Sequence, residues 1–112
     1  MMNEKWLKWA VARHFRQKGF TVNMRGVRVG NAIIDGEVIG DKWRMALEIK
    51  SGHDDVIRGV GQLFEALAHG YSSGTLVLSL RRAKQLNPGL FNVGSIVALG
   101  VDSKAQIHQV YP

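Results

Sequence analysis

The chain has 112 residues, 46% of them hydrophobic, with two Pro and no Cys, which suits one domain spanning residues 1–112 around one modest core. The lack of Cys excludes disulfides, thiolate zinc sites and cysteine nucleophiles. A formal net charge of +6 points to a polyanionic partner such as nucleic acid, since Lys and Arg neutralise phosphates and release counterions, although such a charge also serves solubility.

Residues 3–18 read as a helix: Leu7, Val11 and Phe15 recur at i, i+4 and i+8 with Ala10 alongside, Asn3 is placed to cap the start, and Gly19 stands where a helix-ending glycine belongs. This opening is amphipathic and unlike a signal peptide. No apolar run has the length of a membrane span, so the chain is expected to be soluble, cytoplasmic and without membrane contact. Residues 20–24 look like a short strand, and Arg25 to Gly30 like a basic turn region or strand edge. Residues 31–39 and 42–50 read as a hairpin joined by a short turn near Gly40-Asp41. In its second arm Met45, Leu47 and Ile49 alternate with Arg44, Ala46, Glu48 and Lys50, which sets Glu48 and Lys50 on one face. Residues 54–70 read as a second helix with a buried stripe of Val56, Val60, Leu63, Phe64 and Leu67 and a polar stripe of Arg58, Gln62, Glu65 and His69. The apolar run 74–80 suits a strand buried on both faces. A short basic helix over 81–86, stopped by Asn87-Pro88-Gly89, precedes two final strands at 95–100 and 106–111. A helix between strands 42–50 and 74–80 implies a parallel crossover joined to an antiparallel hairpin. The expected fold class is therefore α/β, a mixed β-sheet core flanked by helices.

The residues that carry chemistry are Asp35, Glu48 and Lys50. Both acids lie in mostly apolar segments, and an ionised carboxylate is costly to bury without compensation. A hard cation such as Mg²⁺ supplies it, because it takes oxygen ligands and keeps several waters. A lysine on the face of the second acid can orient or deprotonate an attacking water, or stabilise charge on a phosphate. The competing reading is a plain hairpin, since Asp35-Gly36 is also a turn signal.

Asp35, twelve residues, then Glu48-Ile49-Lys50-Ser51 resembles the core of the PD-(D/E)xK nuclease superfamily. The wider pattern, Ile34-Asp35 through Glu48-Ile49-Lys50-Ser51-Gly52, is most similar to archaeal Holliday-junction resolvases and related small restriction-endonuclease-like proteins, over roughly residues 4–80. The resemblance implies a restriction-endonuclease-like order, α-β-β-β-α-β. It implies Mg²⁺ or Mn²⁺ held by Asp35, Glu48 and the Ile49 carbonyl, with Lys50 assisting the attacking water. It adds two side chains: Glu4 on the first helix as a further metal ligand, one helical turn further from Gly19-Phe20 than the resolvase spacing, and Gln62 on the second helix beside the metal. Ile34 stands where the family name has Pro. The implied reaction is hydrolysis of DNA phosphodiester bonds by an endonuclease, and the small size favours a homodimer.

Arg25, Arg28, Arg81 and Arg82 are the candidate phosphate contacts, with a solvated basic face as the alternative. Trp6, Trp9 and Trp43 read as core or dimer contacts, and His53 as a loop histidine. No phosphate-binding glycine loop occurs, so no nucleotide cofactor is expected. Two other functions fit the same fold: a non-catalytic nucleic-acid-binding module, and a subunit that binds a protein partner.

Overall fold

The computed structural model describes residues 2–52, 55–92 and 94–112; His53, and Asp54 at the start of the expected second helix, lie outside the described residues. Helix α1 (Glu4–Gln17) starts at Asn3, whose side-chain oxygen accepts from the Trp6 N–H at 2.8 Å and so satisfies one of the donors that a helix start leaves open. The remaining elements are β1 (Thr21–Asn23), β2 (Val27–Val29), β3 (Ala32–Ile34), β4 (Gly36–Gly40), β5 (Trp43–Ile49), α2 (Val56–Ala68), β6 (Ser73–Ser79), α3 (Leu80–Ala83), a 3-10 turn at Pro88–Phe91, β7 (Ile96–Val101) and β8 (Ile107–Tyr111).

Six strands form one sheet in the order β1-β4-β5-β6-β7-β8, and β2 and β3 form a separate two-stranded ribbon. The pairs β5–β6 and β6–β7 are parallel, while β1–β4, β4–β5 and β7–β8 are antiparallel. The molecule is thus α/β, with a mixed sheet flanked by helices. Alternation along β5 divides the core. Met45, Leu47 and Ile49 pack with Leu7, Ala10 and Val11 of α1, and Ala46 packs with Leu76, Leu78, Val60 and Leu63 on the α2 side. Trp6 and Trp43 pack partly buried against the α1 layer. Trp9 is 50% exposed and lies under the Arg13 guanidinium, 4.5 Å from its ring centre. No helix among the described residues is long and apolar enough to cross a membrane.

Two expectations need correction. The segment 31–39 is not one strand. It breaks at Asp35, so that residues 32–34 pair with 27–29 across a turn at Gly30-Asn31 and only Gly36–Gly40 pairs with β5. Five strands therefore separate the first two helices, in place of the expected three. Phe64 is exposed instead of buried, because α2 presents Gly59, Val60, Leu63 and Ala66 to the sheet. The helix sits closely over Gly74, where an added Cβ would come 3.0 Å from that of Leu63. Phe64, one residue further round the helix, falls on the rim.

Candidate active site

The break at Asp35 is what makes the site. Its N–H still donates to the Leu47 carbonyl at 3.0 Å, so the residue stays on the β5 ladder while the chain ahead of it peels into the ribbon. Its carboxylate Oδ2 accepts from the Ile49 N–H at 2.7 Å. The Asp35-Gly36 pair is thus no hairpin turn. Glycine is required for close approach instead: a Cβ at Gly36 would lie 2.7 Å from the Asn23 carbonyl oxygen. An extended residue sends its N–H and C=O to the same edge, so the Ile49 carbonyl faces the Asp35 edge as well.

Glu48 is 1% exposed, on the α2 face of β5. Burial, reinforced by the charge of Asp35, pushes its carboxyl up to about 8; Lys50 and a hydrogen bond with Asp35 pull the other way, and Glu4 adds a smaller upward push. The Lys50 Nζ lies 3.9 Å from Glu48 Oε2, with its side chain only 14% exposed. Its stem crosses α2 at Gly59, where a Cβ would come within 2.7 Å of the Lys50 Cε. Gln62 approaches from the helix above. With its nitrogen turned to the sheet, its amide donates to Glu48 Oε2 at 2.7 Å and to Oε1 at 3.2 Å.

Asp35, Glu48, Ile49, Lys50, Gln62 and Glu4 thus line one cleft of about 330 Å³. Glu4 is the outlier of the set: it is exposed, and its carboxylate is 3.8 Å from Lys8 of its own helix. Among the described residues, no group of three or more His, Cys, Asp or Glu side chains is gathered so that it could hold a metal ion. A cation in this cleft would therefore rest on two carboxylates, a backbone carbonyl and water.

Three further residues line the cleft without having been assigned a role from sequence: Ile33, Asp55 and Arg58. Arg58 could have been found, since it lies four residues before Gln62 on the same polar stripe. Of the candidate phosphate contacts, Arg25 and Arg28 are exposed. Arg28 pairs across the ribbon with Ile33, at the margin of the cleft. Arg81 is exposed just past β6, at the sheet end where Glu48 and Lys50 also lie. Arg82, whose backbone N–H donates to the capping Ser79 hydroxyl at 3.3 Å, is partly buried, and that burial leaves its side chain less open to a phosphate than that of Arg81.

A second buried acid is satisfied within the protein. Glu37 on β4 accepts from the Tyr71 hydroxyl at 2.9 Å and from the Asn23 amide at 3.1 Å. Burial, helped by this bond to Glu37, pushes the Tyr71 phenol up to about 12. Glu48, by contrast, has Gln62, Lys50 and a hydrogen bond with the Asp35 backbone set against burial and the Asp35 charge.

No protein-family model and no curated protein matches the chain. Among solved structures it is similar to the SPO1766 protein of unknown function from Silicibacter pomeroyi. The TM-score is 0.68 and the identity 19%, over 100% of this chain and 73% of that one. The likeness concerns the α/β fold alone.

Proposed function

We propose that the protein is a metal-dependent endonuclease that hydrolyses DNA phosphodiester bonds, on a restriction-endonuclease-like version of the α/β fold. The observation that carries this reading is the buried Glu48 facing Asp35, with the Lys50 ammonium 3.9 Å away. Two carboxylates brought together in an apolar setting, one forced well above its ordinary range, are a poor structural device and a good cation site.

The donor set fits Mg²⁺ or Mn²⁺: hard oxygen atoms from Asp35, Glu48 and the Ile49 carbonyl, in an open cleft with room for water. The bound ion would supply Lewis acidity and a more acidic water. The remaining work falls to the side chains. Asp35 is oriented by the Ile49 N–H, and Gln62 holds the Glu48 carboxylate in place. Lys50, fixed between Glu48 and Gly59, directs its ammonium to the phosphate or to the attacking water. Arg28 and Arg81 flank the cleft as phosphate contacts. A homodimer suits a protein with this little surface for a duplex, and the half-exposed Trp9 and the more exposed Ile57 are among the apolar groups open to it.

The test is cleavage of labelled duplex, single-stranded, flapped and four-way-junction DNA with Mg²⁺, Mn²⁺ or EDTA, beside Glu48→Ala and Lys50→Ala. Metal-dependent cutting that both substitutions abolish is the expected result. Binding without cutting under every metal would overturn it in favour of a non-catalytic binding module.

A further inference from the structure

We infer that the groove between the β2–β3 ribbon and α2 binds an unpaired nucleotide of the DNA strand, immediately beside the phosphate held in the cleft. The inference rests on the nuclease reading for the identity of that phosphate. The groove encloses about 660 Å³ and is continuous with the cleft, since Ile33, Arg58 and Gln62 line both. Its width is set by a clasp: the Asn31 N–H at the ribbon turn donates to Glu65 Oε2 of α2 at 2.8 Å. Gly61 leaves its floor bare, with nothing within 4 Å of where a Cβ would stand.

The chemistry of the walls matches one nucleotide. Ile33 is 53% exposed and stands on the border of cleft and groove, an aliphatic surface against which the face of a base can pack. Arg58 is exposed on the same border, where a guanidinium can pair with the phosphate joining the reacting nucleotide to its neighbour. Asn31 and Glu65 offer hydrogen-bonding groups to the base edge. A base still in a duplex must first be unstacked and unpaired at a cost of about a few kcal/mol, so an already unpaired one is the favoured occupant. The substrate class is therefore DNA with an unpaired nucleotide next to the cut.

The experiment is fluorescence anisotropy in EDTA, using a labelled duplex with and without a single unpaired thymidine, on wild type, Gly61→Phe, Gly61→Ala and Arg58→Ala. Wild type is expected to bind the bulged duplex about tenfold more tightly than the paired one, the size of effect that burying one base face against an aliphatic side chain provides. Gly61→Phe fills the groove and should bring that ratio to about one without weakening the paired duplex. Gly61→Ala should keep the ratio, and Arg58→Ala should weaken both duplexes alike. Ile33→Ala, on the exposed ribbon face, removes the packing surface without adding charge and repeats the test should Gly61→Phe fail to fold. Equal binding of the two duplexes by wild type, or a preference that survives both groove variants, overturns the inference. The nuclease reading is scored separately. A bulge preference lost in Gly61→Phe, in a protein that cuts nothing with Mg²⁺ or Mn²⁺, keeps the groove and removes the nuclease; cutting without any preference does the reverse.

Discussion

Replacing Glu48 with Gln should stabilise the metal-free protein while destroying its function. In the folded chain the carboxyl titrates at about 8, against an ordinary value of 4.5. The folded state therefore keeps a proton that the unfolded chain releases. The stability this provides is complete below pH 4.5 and is lost progressively as the pH rises through 8. Each pH unit in that window removes about 1.4 kcal/mol, so wild type has given up about 3 kcal/mol by pH 7 relative to its acid-side stability. The Gln62 amide, which favours the charged carboxylate, trims this to about 2–3 kcal/mol. Gln at position 48 keeps the shape and has no proton to lose. Urea denaturation of both proteins in EDTA at pH 5, 6, 7 and 8 should give stabilities that diverge as the pH rises, with Glu48→Gln the more stable at pH 8. Parallel pH profiles would refute the argument that Glu48 is a desolvated, repelled acid.

Other consequences are open to measurement. With the proposed ion on Glu48, ion and proton would compete for that carboxylate, and Mg²⁺ affinity by calorimetry should rise about tenfold per pH unit up to pH 8 and level off above it; a flat profile from pH 6 to 8 would remove Glu48 from the ligand set. Gly59→Ala forces Lys50 off the helix, so turnover should fall by about tenfold or more in a protein whose far-UV spectrum and oligomeric state are unchanged. Turnover equal to wild type would show that the position of Lys50 is immaterial. Tyr71→Phe leaves Glu37 short of its 2.9 Å donor and should lower stability by about 1–3 kcal/mol with cleavage per folded molecule unaffected.

The central frame was legible because its signals are physically strong. The Leu7, Val11 and Phe15 stripe, the Asn3 cap, the apolar run of β6 and the period-two alternation of β5 each express a large burial or pairing preference, and each element appears within a residue or two of its expected place. Bringing Glu48 and Lys50 to one side followed from that alternation alone. What escaped was the break at Asp35. Ala32-Ile33-Ile34 and Val38-Ile39 have the same β-forming character, so pattern alone joins them. The Gly30-Asn31 turn between two alternating triplets was the available hairpin signal, but three-residue strands are too short to announce themselves by period. The role of Gly36 was misleading for a related reason: a glycine needed for approach to the Asn23 carbonyl looks like one needed for a turn. Gly59 could not be assigned without knowing how α2 lies over β5, a tertiary relation that no local pattern encodes. Glu4 was legible as an acid near the site, but its pairing with Lys8 depends on side-chain choices that the spacing leaves free.

The most direct test of the account is to locate Mn²⁺ by anomalous diffraction from crystals soaked in MnCl₂ at pH 8.5, in wild type and Glu48→Gln. The account predicts a single strong peak in wild type bridging the carboxylates of Asp35 and Glu48 and the Ile49 carbonyl, and no peak there in the variant. A cleft that stays free of manganese in wild type, or a peak that persists beside Asp35 in Glu48→Gln, would contradict it.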